Sequence, residues 1–223
     1  MKYKILLFDV DDTLLDFKDN ERTSLKKLFE FYNFSDLENI FDTYKEINKS
    51  LWRSFENGEI TREAVLNTRF SKTMKTYNIN VSGSELEKKY REFLNEGHKL
   101  IENADIVCNE LSKTHRLFAV TNGVRETQIK RLKMSGLFPY FEKIFDSESI
   151  GYQKPSIEFF NHVEKNIPIT NKKDVLVIGD SLSSDIKGGI NFGIDTCLFS
   201  LEKTEKSEST YTITNLKELL NIC

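Results

Sequence analysis

Residues 2–16 read KYKILLFDVDDTLLD, an apolar run from Ile5 to Phe8 that stops at three acids, Asp9, Asp11 and Asp12. Four consecutive apolar residues predict a strand buried on both faces, as in a parallel sheet. Carboxylates are out of place at the end of such a strand. Two like charges about 4 Å apart at an effective dielectric of about 20 cost roughly 4 kcal/mol, so the acids either fan out into water or hold a cation. On an extended segment Asp9 and Asp11 face the same side, roughly 6–7 Å apart along the chain. Asp12 alternates away from them and reads as structural.

Farther along, short apolar runs alternate with helical periodicity. Strands are predicted at Arg116–Thr121, Lys143–Phe145, Asp174–Asp180, Asp195–Phe199 and Tyr211–Thr214, and helices at Glu126–Met134, Ile157–Lys165, Asp185–Phe192 and Leu216–Asn221. Strands alternating with helices imply an α/β fold, a Rossmann-like parallel sheet with helices on both faces. The polar run Leu201–Thr210 reads as a surface loop ahead of the last strand.

Between the first strand and this pattern the texture is different. Leu25, Leu28, Phe29 and Tyr32 recur at spacings of three and four, as do Leu37, Ile40, Phe41 and Tyr44, and no strand pattern occurs from Phe17 to Asn95. The expected organisation is therefore an α/β core of residues 1–16 and 96–223, with an inserted helical domain of residues 17–95.

The strand ends carry a consistent set of polar residues. The first ends in Asp9-Val10-Asp11, the second in Thr121-Asn122, and the fourth in Gly179-Asp180, followed by Asp185; Lys154 and Pro155 follow the third. In a parallel sheet these carboxyl ends share one edge and converge on one crevice. Clustered carboxylates suit a hard cation such as Mg²⁺. Thr121, backbone N–H groups near Asn122 and Gly123, and the Lys154 ammonium suit an anion. Taken alone, Asp185 also fits a helix N-cap.

Composition narrows the alternatives. A chain of 223 residues with 39% hydrophobic and 30% charged residues is of ordinary globular make-up, and a net charge of −3 argues against a broad nucleic-acid or anionic-membrane surface. Cys108, Cys197 and Cys223 lie far apart without CxxC spacing, so neither a disulfide framework nor a zinc site is expected. No apolar stretch reaches the roughly 18 residues of a membrane span. The expectation is a cytoplasmic monomer or small homo-oligomer acting on a small molecule, with no nucleic-acid polymer and no membrane as partner.

The motifs DVDDTL at Asp9 and Asp11, TNG at Thr121, KP at Lys154 and GDSLSSD at Asp180 and Asp185 resemble, in order and in strand context, the four motifs of the haloacid dehalogenase superfamily. The resemblance implies a phosphohydrolase in which Asp9 is the nucleophile and forms an aspartyl phosphate. Asp11 would protonate the leaving oxygen and then activate water. Mg²⁺ would be held by Asp9, the main-chain carbonyl of Asp11, and Asp180. Thr121, Asn122 and Lys154 would bind the phosphoryl group, with Asp185 orienting Lys154 or a metal-bound water.

Within the superfamily, Asp11 and Asp180 argue against a dehalogenase, which needs neither a second acid nor a metal. Ile157 stands where many relatives carry a second proline after Lys154-Pro155, a departure that removes no reacting side chain. The inserted helices would form a cap. Its segment NKSLWRSFENGEIT, residues 48–61, followed by Arg69 and Phe70, is similar to that of cytosolic pyrimidine 5'-nucleotidases. On that likeness Trp52 and Phe55 would stack on a base while Asn48 or Arg69 bonds it. The rival readings are a sugar-phosphate phosphatase or phosphomutase of the same superfamily, and a non-enzymatic phospho-receiver module.

Overall fold

The computed structural model of the chain describes residues 2–34, 37–167, 169–201 and 207–223. It divides into two compact units, Met1–Phe17 with His98–Cys223, and Lys18–Gly97.

Among the described residues the first unit is built on six strands, β1 (Ile5–Phe8), β2 (Arg116–Thr121), β3 (Lys143–Asp146), β4 (Val175–Gly179), β5 (Asp195–Phe199) and β6 (Tyr211–Ile213). They form one sheet in the order β3-β2-β1-β4-β5-β6, and every neighbouring pair is parallel. β1 and β4 are buried at every position, as a central strand covered on both faces must be.

The twofold alternation of side chains sorts the core into two layers. Leu6, Phe8, Leu117, Ala119, Leu176 and Ile178 point to one face and pack with Val107, Cys108 and Leu111 of α5 (Ala104–Ser112) and Leu132 of α6 (Arg125–Met134). Ile5, Leu7, Phe118, Val120, Val175 and Val177 point to the other. There they meet Phe159, Phe160 and Val163 of α8 (Ile157–Asn166) and Phe192 of α9 (Lys187–Phe192). α7 (Ser147–Ile150) and α10 (Leu219–Ile222) complete the helices of this unit.

Some boundaries shift for local reasons. The strand expected from Asp174 starts at Val175, because Asn171 Oδ1 accepts from Lys173 N at 3.1 Å and draws Lys172–Asp174 into a 3-10 turn. The helix expected from Asp185 begins instead as a π turn, Leu182–Ile186, capped by Ser181, and continues as α9. The final helix is a 3-10 turn, Leu216–Glu218, closed by the Asn215–Glu218 capping box and then continued by α10. Of the polar run expected as a loop, residues 202–206 lie outside the described residues.

Among the described residues the second unit holds four helices, α1 (Phe17–Phe31, whose first residue belongs to the other unit), α2 (Leu37–Glu56), α3 (Arg62–Thr76) and α4 (Gly83–Leu94). Thr61 and Ser82 cap α3 and α4 by accepting from Ala64 N and Glu85 N, satisfying donors that a helix start leaves open. α4 buries Leu86, Tyr90 and Leu94 at successive fourth positions, the stripe that an amphipathic helix presents. No described helix of the chain is long and apolar enough to cross a membrane.

Candidate active site

The backbone after β1 folds back at once. Asp9 N continues the ladder by donating to Ile178 O at 2.8 Å, after which Leu14 N and Leu15 N both return to Val10 O. Asp12 takes a left-handed conformation, φ 57°, and donates its N–H to Leu15 O, a turn position that short polar side chains tolerate. The turn leaves Asp9 and Asp11 at the carboxyl edge of β1.

Asp9 is buried, and it forms with Asp180 and Asp185 a group whose carboxylate oxygens lie within 4.8 Å of one another. Asp180 follows the last residue of β4. Asp185 is brought close to the sheet because Gly179 has no side chain: a Cβ there would stand 2.2 Å from the Asp185 carboxyl carbon. Asp185 Oδ2 also accepts from Ser181 N at 3.2 Å.

Lys154 is the cation of this cluster and is 1% exposed. Its ammonium donates to Asp9 Oδ1 at 2.7 Å, Asp185 Oδ1 at 2.6 Å and Val120 O at 2.9 Å. Burial alone would lower its pKa, but the Asp185 and Asp9 carboxylates override this and raise it, so it stays an ammonium. Burial pushes the Asp9 carboxyl well up; Lys154 opposes the shift, and Asp185, Asp180 and Asp11 add to it. Three carboxylates thus gather at one point, with Lys154 bonded to two of them. An all-carboxylate donor set of this kind, with two of its three members buried, fits a hard divalent cation.

The remaining expected residues divide. Thr121 Oγ1 accepts from Gly123 N at 3.0 Å and from Gln128 Nε2 at 3.1 Å, which leaves the hydroxyl hydrogen as its means of donating. The Gly123 N–H, expected to face an anion, is thus turned onto Thr121. The Asn122 carboxamide is also committed elsewhere. Its Nδ2 donates to Lys154 O and its Oδ1 accepts from Lys154 N, both at 2.9 Å, bracing the segment that carries the lysine. Lys154 itself spends three donors on protein acceptors, so its arrangement serves Asp9 first.

Asp11 does not join the acid group. Its oxygens accept from Arg131 Nη1 and Gln128 Nε2, each at 2.5 Å. These two residues of α6 were not anticipated; the only available signal was their i, i+3 spacing on a helix that follows the Thr121 strand end. Asp146, at the end of β3 and fully buried, pairs with Arg125 at 2.5 Å and was likewise not foreseen.

In the helical unit the expected base-binding residues lie apart from one another in role. Arg69 is 2% exposed and gives Nε and Nη2 to the two oxygens of Glu87 at 2.7 and 2.8 Å and Nη1 to Asn48 Oδ1 at 3.2 Å. Asn48 in turn donates to Glu21 at 3.0 Å. Both polar groups take part in a network inside the unit. Trp52 is half-buried, with its ring 5.6 Å from that of Phe55, and packs on the Leu51–Phe55–Val65 cluster.

Comparison with known proteins agrees with this geometry. The family model for haloacid dehalogenase-like hydrolases matches residues 3–193. The chain is 47% identical to the HAD-hydrolase YfnB of Bacillus subtilis, across 99% of this chain and 95% of that one. It is 36% identical to the pyrimidine 5'-nucleotidase PynA of Streptococcus pneumoniae, with the same coverage, and 30% identical to the pyrimidine 5'-nucleotidase YjjG of Escherichia coli, covering 98% and 97%. The crystal structure of YfnB bound to magnesium superposes with a TM-score of 0.96 over 100% of this chain and 99% of that one, at 48% identity. With its motifs in order on a six-stranded parallel sheet and its likeness to these relatives running through almost its whole length, the chain belongs to the haloacid dehalogenase-like hydrolase family.

Proposed function

We propose that this hydrolase is a Mg²⁺-dependent phosphomonoesterase acting on nucleoside monophosphates, with pyrimidine nucleotides preferred. The observation that carries the reading is the acid group Asp9–Asp180–Asp185, in which Asp9 and Asp185 are buried and Lys154 is bonded to both, beside Thr121 and Asp11 on the same sheet edge. Two full-length relatives are named pyrimidine 5'-nucleotidases, and the YfnB crystal is described as bound to magnesium.

A carboxylate of Asp9 attacks phosphorus; the Asp9–phosphorus bond forms as the ester oxygen departs, and that oxygen takes a proton from Asp11. The Asp11 carboxylate then removes a proton from the water that cleaves the aspartyl phosphate, restoring Asp9 and releasing phosphate. Lys154 fixes the orientation of Asp9, and Asp185 fixes Lys154. Thr121 holds a phosphoryl oxygen through its hydroxyl. Asp9, Asp180 and the main-chain carbonyl of Asp11 would hold Mg²⁺, which supplies charge neutralisation between the anionic nucleophile and the phosphate.

The test is phosphate release from UMP, dUMP, dTMP and a set of sugar phosphates at fixed Mg²⁺, repeated in EDTA. Turnover of the pyrimidine nucleotides well above that of the sugar phosphates, lost in EDTA and restored by Mg²⁺, is the expected result. Equal turnover of sugar phosphates defeats the substrate reading, and turnover indifferent to EDTA defeats the metal reading.

A further inference from the structure

Both carboxylate oxygens of Asp11 are held from a single helix. Arg131 Nη1 donates to Oδ1 and Gln128 Nε2 to Oδ2. The two holders are tied to each other, since Arg131 Nη1 also reaches Gln128 Oε1 at 3.1 Å. The same Gln128 amide donates to Thr121 Oγ1 at 3.1 Å. One side chain thus links the expected phosphate-binding hydroxyl to the expected proton donor. Arg131 and Gln128 are each 1% exposed, whereas the Asp11 side chain is 28% exposed. The guanidinium also lies 5.6 Å from the centre of the Phe17 ring.

A carboxylate open to solvent on one side is thereby fixed from beneath by two buried donors. Burying an arginine carries a heavy desolvation cost unless a charged partner offsets it, and Asp11 is such a partner here. The side chain would otherwise choose among several rotamers. A misplacement of about 1 Å in a reacting group costs roughly 10²-fold in rate, so an orientation fixed before substrate arrives has a direct kinetic value.

Resting on the phosphohydrolase reading above, we propose that Gln128 and Arg131 are positioning residues that orient Asp11 toward the leaving oxygen, and that Gln128 sets Thr121 in register with it. As the Asp9–phosphorus bond forms and the phosphorus–ester oxygen bond breaks, the proton on Asp11 passes to that oxygen. The resulting carboxylate is received by the two donors already in place. Neither residue touches substrate; both act through Asp11, and Gln128 also through Thr121.

The experiment compares kcat/KM for phenyl phosphate and p-nitrophenyl phosphate in the wild type and in Arg131→Met, Arg131→Lys, Gln128→Met and Asp11→Asn. The two esters share a ring, but nitrophenolate departs without a proton far more readily than phenolate. Because kcat/KM ends at formation of the phosphoenzyme, later water activation does not enter it. General-acid contributions are commonly about 10² to 10⁴ in rate. Arg131→Met and Gln128→Met should lose about 10- to 100-fold on phenyl phosphate, at least several times more than on the nitro ester, following the pattern of Asp11→Asn. Arg131→Lys should recover part of the loss.

Equal losses on the two esters in an otherwise active enzyme would show that the pair merely supports the fold, and would overturn the inference alone. A wild type that hydrolyses neither ester removes the phosphohydrolase reading and the inference with it. Gln128→Met removes no charge, so it carries the comparison should Arg131→Met fail to fold.

Discussion

Asp9 is shaped almost entirely by groups that lie far away in the chain. Lys154 Nζ is 2.7 Å away and separated by 145 positions, and Asp180 and Asp185 come from the end of β4 and the π turn that follows it. Burial first, and then the neighbouring acids, push its carboxyl well above the usual range against the pull of Lys154. Asparagine in its place keeps an acceptor for the lysine and removes one of the mutually repelling charges. Asp9→Asn should therefore lower phosphate release by several orders of magnitude while its thermal midpoint in EDTA is no lower than that of the wild type. Substantial remaining turnover would exclude Asp9 as nucleophile. The acids Asp9, Asp11 and Asp180 could be picked out from the sequence because charge at the end of an apolar strand is anomalous. The bonding of Asn122 to the Lys154 backbone could not, since nothing local distinguishes a carboxamide that braces a loop from one that meets a ligand.

Elements carry the next set of constraints. α6 was expected from periodicity, yet its value to the site lies in two polar residues on the face turned toward β1 and β2, where Gln128 meets Asp11 and Thr121. In the helical unit, α3 does something similar. It places Arg69 within 5.0 Å of the Tyr90 ring centre and against Glu87 of α4, so that a guanidinium occupies the centre of an aromatic cluster. Removing one partner of a buried pair costs about 3–5 kcal/mol. Glu87 keeps Arg91 at 2.6 Å, which argues for the lower end. Arg69→Met should thus destabilise the helical unit by roughly 3 kcal/mol in urea denaturation, and leave KM for UMP nearly unchanged at temperatures where the protein stays folded. A large rise in KM with an unmoved midpoint would assign Arg69 to substrate binding.

At the scale of the whole molecule, stability in acid has a contributor remote from the carboxyl edge. His115 precedes β2, at the other end of that strand from Thr121; it is buried, shares 2.8 Å between Nδ1 and Thr114 Oγ1, and has no hydrogen-bond partner at Nε2. Burial holds its pKa below the usual value. An unfolded histidine takes up a proton near pH 6.5, whereas the folded one resists, so the unfolded state binds more protons and stability falls as pH drops below about 6.5. With Mg²⁺ present, His115→Gln should flatten the decline of the thermal midpoint between pH 7 and pH 5. An identical slope in both proteins would assign the acid sensitivity to other groups.

The amino-acid sequence by itself determined a parallel α/β sheet with polar strand ends and a helical block after the first strand, because apolar periodicity is a local property that each segment carries on its own. It also marked which acids, threonine and lysine stand at one sheet edge. Only the tertiary structure decided the strand order β3-β2-β1-β4-β5-β6, the three bonds of Lys154, the hold of Gln128 and Arg131 on Asp11, and the burial of Arg69. Those are pairings between residues far apart in the chain, Lys154 and Asp9 by 145 positions and Ile5 of β1 and Val175 of β4 by still more. A buried polar group must find a partner, but which one it finds depends on chain segments that meet only when the sheet and its helices close.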